Sequence, residues 1–196
     1  MQRSLACYVT DNGKSTDLSG SGARIANIGR PNRHRNCSAF GGDAGRLYVV
    51  GHSSGAHLAA MALSTRWADY GLPTKPSRGG VLVSGIYDLG PLRHTSRSKY
   101  VRIDDRAERQ LSPLHEIASL TAPLLLAVGS TESPEFRRQA RDYAKAVAQS
   151  GKQATVIVGE SYNHFDILET IGSPYGLLGR TLLDFVRLDM HEGHAI

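Results

Sequence analysis

Residues 46–58 read Arg46-Leu47-Tyr48-Val49-Val50-Gly51-His52-Ser53-Ser54-Gly55-Ala56-His57-Leu58, an apolar run that breaks at a glycine and resumes as small residues. Residues 46–50 have the length and composition of a short buried strand, ended by Gly51. Residues 54–67 carry small and apolar side chains nearly all round, as a buried helix does. Between the two lies Gly51-His52-Ser53-Ser54-Gly55, a Gly-x-Ser-x-Gly pentapeptide in strand-to-helix context. A chain that must reverse sharply after a strand holds its central serine in a strained conformation. Glycines two positions either side remove the side chains that would collide there. Such a turn lifts the Ser53 hydroxyl beyond the carboxyl end of the strand. It also sets the Ser54 N–H at a helix N-terminus, where it can donate to a developing oxyanion.

The same alternation continues downstream. Residues 80–84 are a second buried strand built on Val81, Leu82 and Val83, and residues 124–128 a third, after Pro123 and before Gly129. Residues 134–150 have helical periodicity, with Phe136, Ala140, Tyr143, Ala144 and Val147 on one side, and Gly151 ends them. Residues 154–158 form a fourth strand and residues 174–190 a closing helix. All-apolar strands separated by helices predict an α/β fold, a parallel sheet flanked by helices. The charged stretch 89–120 exceeds a simple crossover, so it is expected to be functional or locally helical. No internal repeat is visible.

A nucleophilic serine needs a base, and the base needs an orienting carboxylate. In a parallel sheet both come from later strand ends. Of eight histidines, His164 alone follows a terminal strand. His52 and His57 flank the turn, where packing or capping is expected of them, His94 and His115 lie in the long connection, and His34, His191 and His194 lie near the ends. For the acid, Glu132 sits in the loop after the third strand and is preferred. Glu135 is second, since it falls on the first helical turn, where the helix dipole already accounts for it. Asp166 is suited to ordering the loop or starting the next helix.

From Phe40 onward the chain resembles the branch of the α/β-hydrolase family that includes arylformamidases of the kynurenine formamidase type and related small-ester hydrolases. The residues that carry the resemblance are Phe40-Gly41-Gly42-Asp43, LYVVGHSSGAHL at 47–58, VSGIYDL at 83–89, Leu111-Ser112-Pro113, ESPEF at 132–136, and Asn163-His164-Phe165. The resemblance implies Ser53 as nucleophile, Glu132 as triad acid and His164 as base, with Ser54 contributing to the oxyanion hole. It implies a small-molecule ester or formamide substrate and no metal or organic cofactor. Family members often have Asp where Glu132 stands. They also have further strands before the serine turn and a His-Gly-Gly motif that completes the oxyanion hole, and neither is found in residues 1–39. The expectation is therefore a Ser-rich, irregular segment 1–39, truncated or read out of frame. Residues 40–196 would then be the C-terminal portion of an α/β-hydrolase domain that lacks its N-terminal strands. Its serine strand would have a bare edge, and its turnover would be impaired.

The charge distribution fits that division. The 196 residues have a formal net charge of +5. Residues 1–39 hold six basic side chains against two acidic ones, and the other 157 hold 17 against 16. The basicity thus belongs to the N-terminal fifth. Without stacking aromatics or a recognition helix it argues against a nucleic-acid partner. No apolar run approaches a membrane span, so no membrane partner is expected. Cys7 and Cys37 read as two free thiols of a cytoplasmic protein. The oligomeric state is not legible.

Overall fold

A computed structural model of the chain describes residues 3–9, 39, 41–95 and 103–192. Cys37, His34, His194, Phe40 and most of segment 1–39 lie outside the described residues. The elements in chain order are β1 (Arg3–Val9), β2 (Gly42–His52), α1 (Ser54–Leu63), β3 (Gly79–Val83), α2 (Asp105–Leu111), β4 (Leu124–Gly129), α3 (Pro134–Gln149), β5 (Ala154–Gly159), α4 (Asp166–Glu169) and α5 (Leu177–Glu192). Among its described residues, the long connection 89–120 contains α2 and short 3-10 turns at Gly90–His94, Pro113–His115 and Ile117–Ser119. It is locally helical, as expected.

The five strands form one parallel sheet in the order β1-β2-β3-β4-β5. Val50 pairs with Val81, and Leu82 with Leu126. Both faces of the central strands are covered, which is why they are apolar at every position. On one face Val49, Leu82, Leu124 and Leu126 meet α1 and α3 through Ala56, Ala59, Ala60, Leu63, Tyr143 and Val147. On the other, Val50, Val81, Val83, Leu125 and Ala127 meet Ile167 of α4 and Leu178, Leu182 and Phe185 of α5. The alanines let α1 lie close on the sheet, since Ala56, Ala59 and Ala60 are all fully enclosed.

Helix α1 stops at Leu63, short of the expected 67, because polar groups take over its last carbonyls. Thr65 Oγ1 donates to the Met61 oxygen and the indole N–H of Trp67 to the Ala62 oxygen. The sequence reading finds no strand before residue 40, yet β1 runs parallel to β2 from Leu5–Leu47 to Val9–Gly51. The expected bare edge on β2 is therefore corrected: β2 has a neighbour on each side. A seven-residue strand whose partner starts more than thirty residues later leaves little local pattern to read. Among the described residues, no helix is long and apolar enough to cross a membrane.

Candidate active site

Chemistry-bearing side chains gather at the carboxyl ends of β2, β3, β4 and β5, the edge where an open parallel sheet presents its ligands. Ser53 follows β2 at φ 56° and ψ −120°, a conformation that side-chain-bearing residues rarely adopt. Its N–H donates to the Val83 oxygen at 2.9 Å, which ties the turn to β3. The spacing of the pentapeptide has a direct steric cause. A Cβ on Gly51 would stand 2.2 Å from the Gly55 carbonyl oxygen, so only glycine lets the helix start this close to the strand end. Ser54 is the first residue of α1, where an N–H has no intrahelical acceptor.

His164, in the loop after β5, brings the three groups into line. Its Nε2 lies 3.0 Å from Ser53 Oγ and its Nδ1 2.8 Å from Glu132 Oε2. Phe136 stacks obliquely on its ring with centroids 4.6 Å apart, and Phe165 meets it edge-on at 5.2 Å. Glu132 is enclosed. Its other oxygen, Oε1, accepts from Ser84 Oγ at 2.6 Å and from the Gly129 N–H at 2.7 Å. Burial pushes the Glu132 carboxyl up. The hydrogen bonds from His164, Ser84 and Gly129 outweigh that and hold it below the usual carboxylate range.

The two loops that carry Glu132 and His164 are sewn together. Ser130 N–H donates to the Gly159 oxygen, the Thr131 hydroxyl to the Tyr162 oxygen, and Ser161 N–H to Ser130 Oγ. Their approach is so close that a Cβ on Gly129 would stand 2.1 Å from the Tyr162 oxygen. Asn163 closes the second loop, accepting from the N–H groups of Phe165 and Asp166. Asp166 bonds the Asn163 side chain and starts α4, the bland role expected of it.

The structure thus brings together Ser53, Glu132 and His164, with Ser54 beside them. It does not bring Glu135, the second acid candidate, to His164. Glu135 instead receives a two-pronged hydrogen bond from Arg138 and one from Gln139, and the Arg138 guanidinium holds its carboxyl below the usual range. Two neighbours escaped the sequence reading. Ser84, a polar residue closing an all-apolar strand at the carboxyl edge of the sheet, could have been found from that position. His52 touches the His164 backbone rather than serving only to pack or cap. Beyond Phe136 a cleft of about 200 Å³ is lined by Ile86, Pro91, Leu92 and Phe136, with Glu135 and Gln139 on its wall. No group of three His, Cys, Asp or Glu side chains with metal-holding geometry occurs among the described residues.

Residues 30–166 match the sequence family described as alpha/beta hydrolase fold. Over 145 residues the chain is 36% identical to a kynurenine formamidase of Danio rerio, a match covering 71% of this chain and 49% of that protein. Over 131 residues it is 39% identical to a kynurenine formamidase of Salmo salar, covering 64% of this chain and 44% of that protein. This chain spans about half the length of these curated relatives. Among solved structures, an acylaminoacyl peptidase of Pyrococcus horikoshii superposes with a TM-score of 0.68 at 19% identity, over 87% of this chain and 28% of that one. With a parallel sheet, a serine turn whose Gly51 leaves no room for a side chain and a sequence match over most of its length, the chain belongs to the alpha/beta hydrolase fold family.

Proposed function

We propose that the chain is a serine hydrolase that cleaves a small carboxylic ester or an aryl formamide through Ser53, His164 and Glu132. The observation that carries this reading is the unbroken path from Ser53 Oγ through both nitrogens of His164 to an enclosed carboxylate, at 3.0 and 2.8 Å. Ser53 Oγ attacks the carbonyl carbon as His164 Nε2 takes its proton. Glu132 keeps the Nδ1–H tautomer in place and stabilises the imidazolium as it forms. The Ser54 N–H donates to the tetrahedral oxyanion. His164 then returns the proton to the departing alcohol or amine. Water, deprotonated by His164, attacks the acyl- or formyl-enzyme and frees Ser53. The substrate class is supported by the formamidase relatives.

Fluorophosphonate labelling of the purified chain beside Ser53→Ala tests the nucleophile. The expected outcome is stoichiometric labelling of the first, none of the second, and a fall in ester hydrolysis of about 10⁴-fold or more in the variant. Equal labelling of both would refute the reading. A folded parent that does not label would refute it as well and leave an inactive remnant of such an enzyme. Rates on N-formylkynurenine against short p-nitrophenyl esters then separate formamide from ester.

A further inference from the structure

His52 stands outside the Ser53–His164–Glu132 path yet touches its middle member twice. Its Nε2 lies 2.7 Å from the His164 backbone oxygen. Its ring faces the His164 ring at 4.7 Å between centroids, tilted by 46°. A carbonyl oxygen only accepts, so the bond puts a proton on His52 Nε2. In the sheet β3 and β4 lie between β2 and β5. The bond therefore crosses the carboxyl edge, from the strand end that carries Ser53 to the loop that carries His164. The stitches of Ser130, Thr131 and Ser161 hold that loop from the β4 side only. The gap between Ser53 Oγ and His164 Nε2 depends on the other side as well, where His52 reaches over.

We infer that His52 is a positioning residue: its Nε2–H holds the His164 carbonyl, and through it keeps the His164 ring in line with Ser53 Oγ. This rests on the roles proposed for Ser53 and His164. The groups that face His52 are the His164 ring and carbonyl, the Glu132 carboxylate beyond them, and the Phe165 ring at 6.4 Å. Burial is the main influence and pushes the His52 pKa down. The His164 carbonyl opposes it, the His164 ring adds to it, and Glu132 opposes it again, leaving the balance below the ordinary value. The shift favours the neutral ring, which suits a donor that holds a carbonyl oxygen.

His52→Gln and His52→Leu test this. Glutamine retains an N–H donor without a titrating charge, and leucine retains bulk without either. With a p-nitrophenyl ester, His52→Leu should lower kcat about 10- to 100-fold, with KM held within about twofold. His52→Gln should stay within about threefold of the parent, the loss that a retained donor leaves. Amide hydrogen exchange at residues 164–166, which needs no turnover, should accelerate about tenfold in His52→Leu and stay at the parent rate in His52→Gln. Parent-like exchange in His52→Leu, or equal loss in the two variants, would overturn the proposal. A parent that fails to label at Ser53 would refute the hydrolase reading instead, and the exchange rates would still decide the His52 bond.

Discussion

At the scale of residues, the site is an exercise in satisfying one buried carboxylate. Glu132 gives Oε2 to His164 and divides Oε1 between Ser84 and the Gly129 N–H, so both oxygens are engaged inside the protein. A carboxylate with that many donors is lowered in pKa despite its burial, and the lowering is linked to folding. The folded value lies below the unfolded one, so the stability this group contributes is complete above about pH 4.3. It is lost as pH falls through the lower folded value. Glu132→Gln removes the titration while keeping the shape. The stability advantage of the parent over the variant, measured by urea unfolding from pH 6 to pH 3, should therefore hold down to about pH 4.3 and shrink below it. An advantage that is constant across that range would show that Glu132 is not ionised in the fold. Much of this residue-level picture was legible beforehand. Ser53 announces itself by glycines two positions away, and Glu132 and His164 by following the third and fourth apolar strands. Ser84 offered only its place as a polar residue closing an apolar strand and His52 no signal at all, because their partners lie 48 and 112 positions away.

Elements explain how the site is held at a set distance from its cleft. The N-terminal half of α3 supplies Phe136 against His164, Glu135 with Arg138, and Gln139, which is buried. The Gln139 oxygen accepts from the N–H groups of Tyr87 and Asp88 at 2.6 and 2.8 Å, and its amide donates to the Asp88 oxygen. One side chain thereby clasps the loop after β3 to the helix after β4, and the cleft lies between them. Replacing Gln139 by Leu leaves the buried Tyr87 N–H and the half-buried N–H and carbonyl of Asp88 without partners. Each such group costs about 1–3 kcal/mol. Urea unfolding should show a loss of at least about 2 kcal/mol by the same reckoning, and turnover should fall in parallel as the cleft loosens. A loss below about 0.5 kcal/mol, the range of neutral surface changes, would mean that the clasp carries no load. The periodicity that identifies α3 as a helix marks Phe136, Ala140 and Tyr143 as its inner face. It does not distinguish Gln139, a polar residue on that face, from one facing solvent. Strand β1 was missed for a related reason, since its recognition depends on a partner strand rather than on its own composition.

Taken as a whole, the molecule is one sheet with a helix layer on each face, and that was the most legible feature of all. Strands that are apolar at every position require cover on both sides, and the two clusters built on Leu82 and Leu126, and on Val81 and Leu125, supply it. Alternate residues of the same strands belong to opposite clusters, so neither layer can come away without exposing the other. Trp67, the single tryptophan of the chain, sits in a third, smaller cluster with Met61, Ala62 and Leu72 at the far end of α1. Its fluorescence in urea should lose intensity or shift at the same midpoint as the far-ultraviolet circular dichroism of the sheet and helices. Two separated midpoints would mean that the serine-bearing helix melts independently of the rest. The same residue has a practical use. Its indole is buried, its N–H is engaged by the Ala62 carbonyl, and the Tyr70 ring lies 5.8 Å away. It is therefore a built-in optical reporter at the end of the helix that starts beside Ser53, and its emission follows the integrity of that helix without any label.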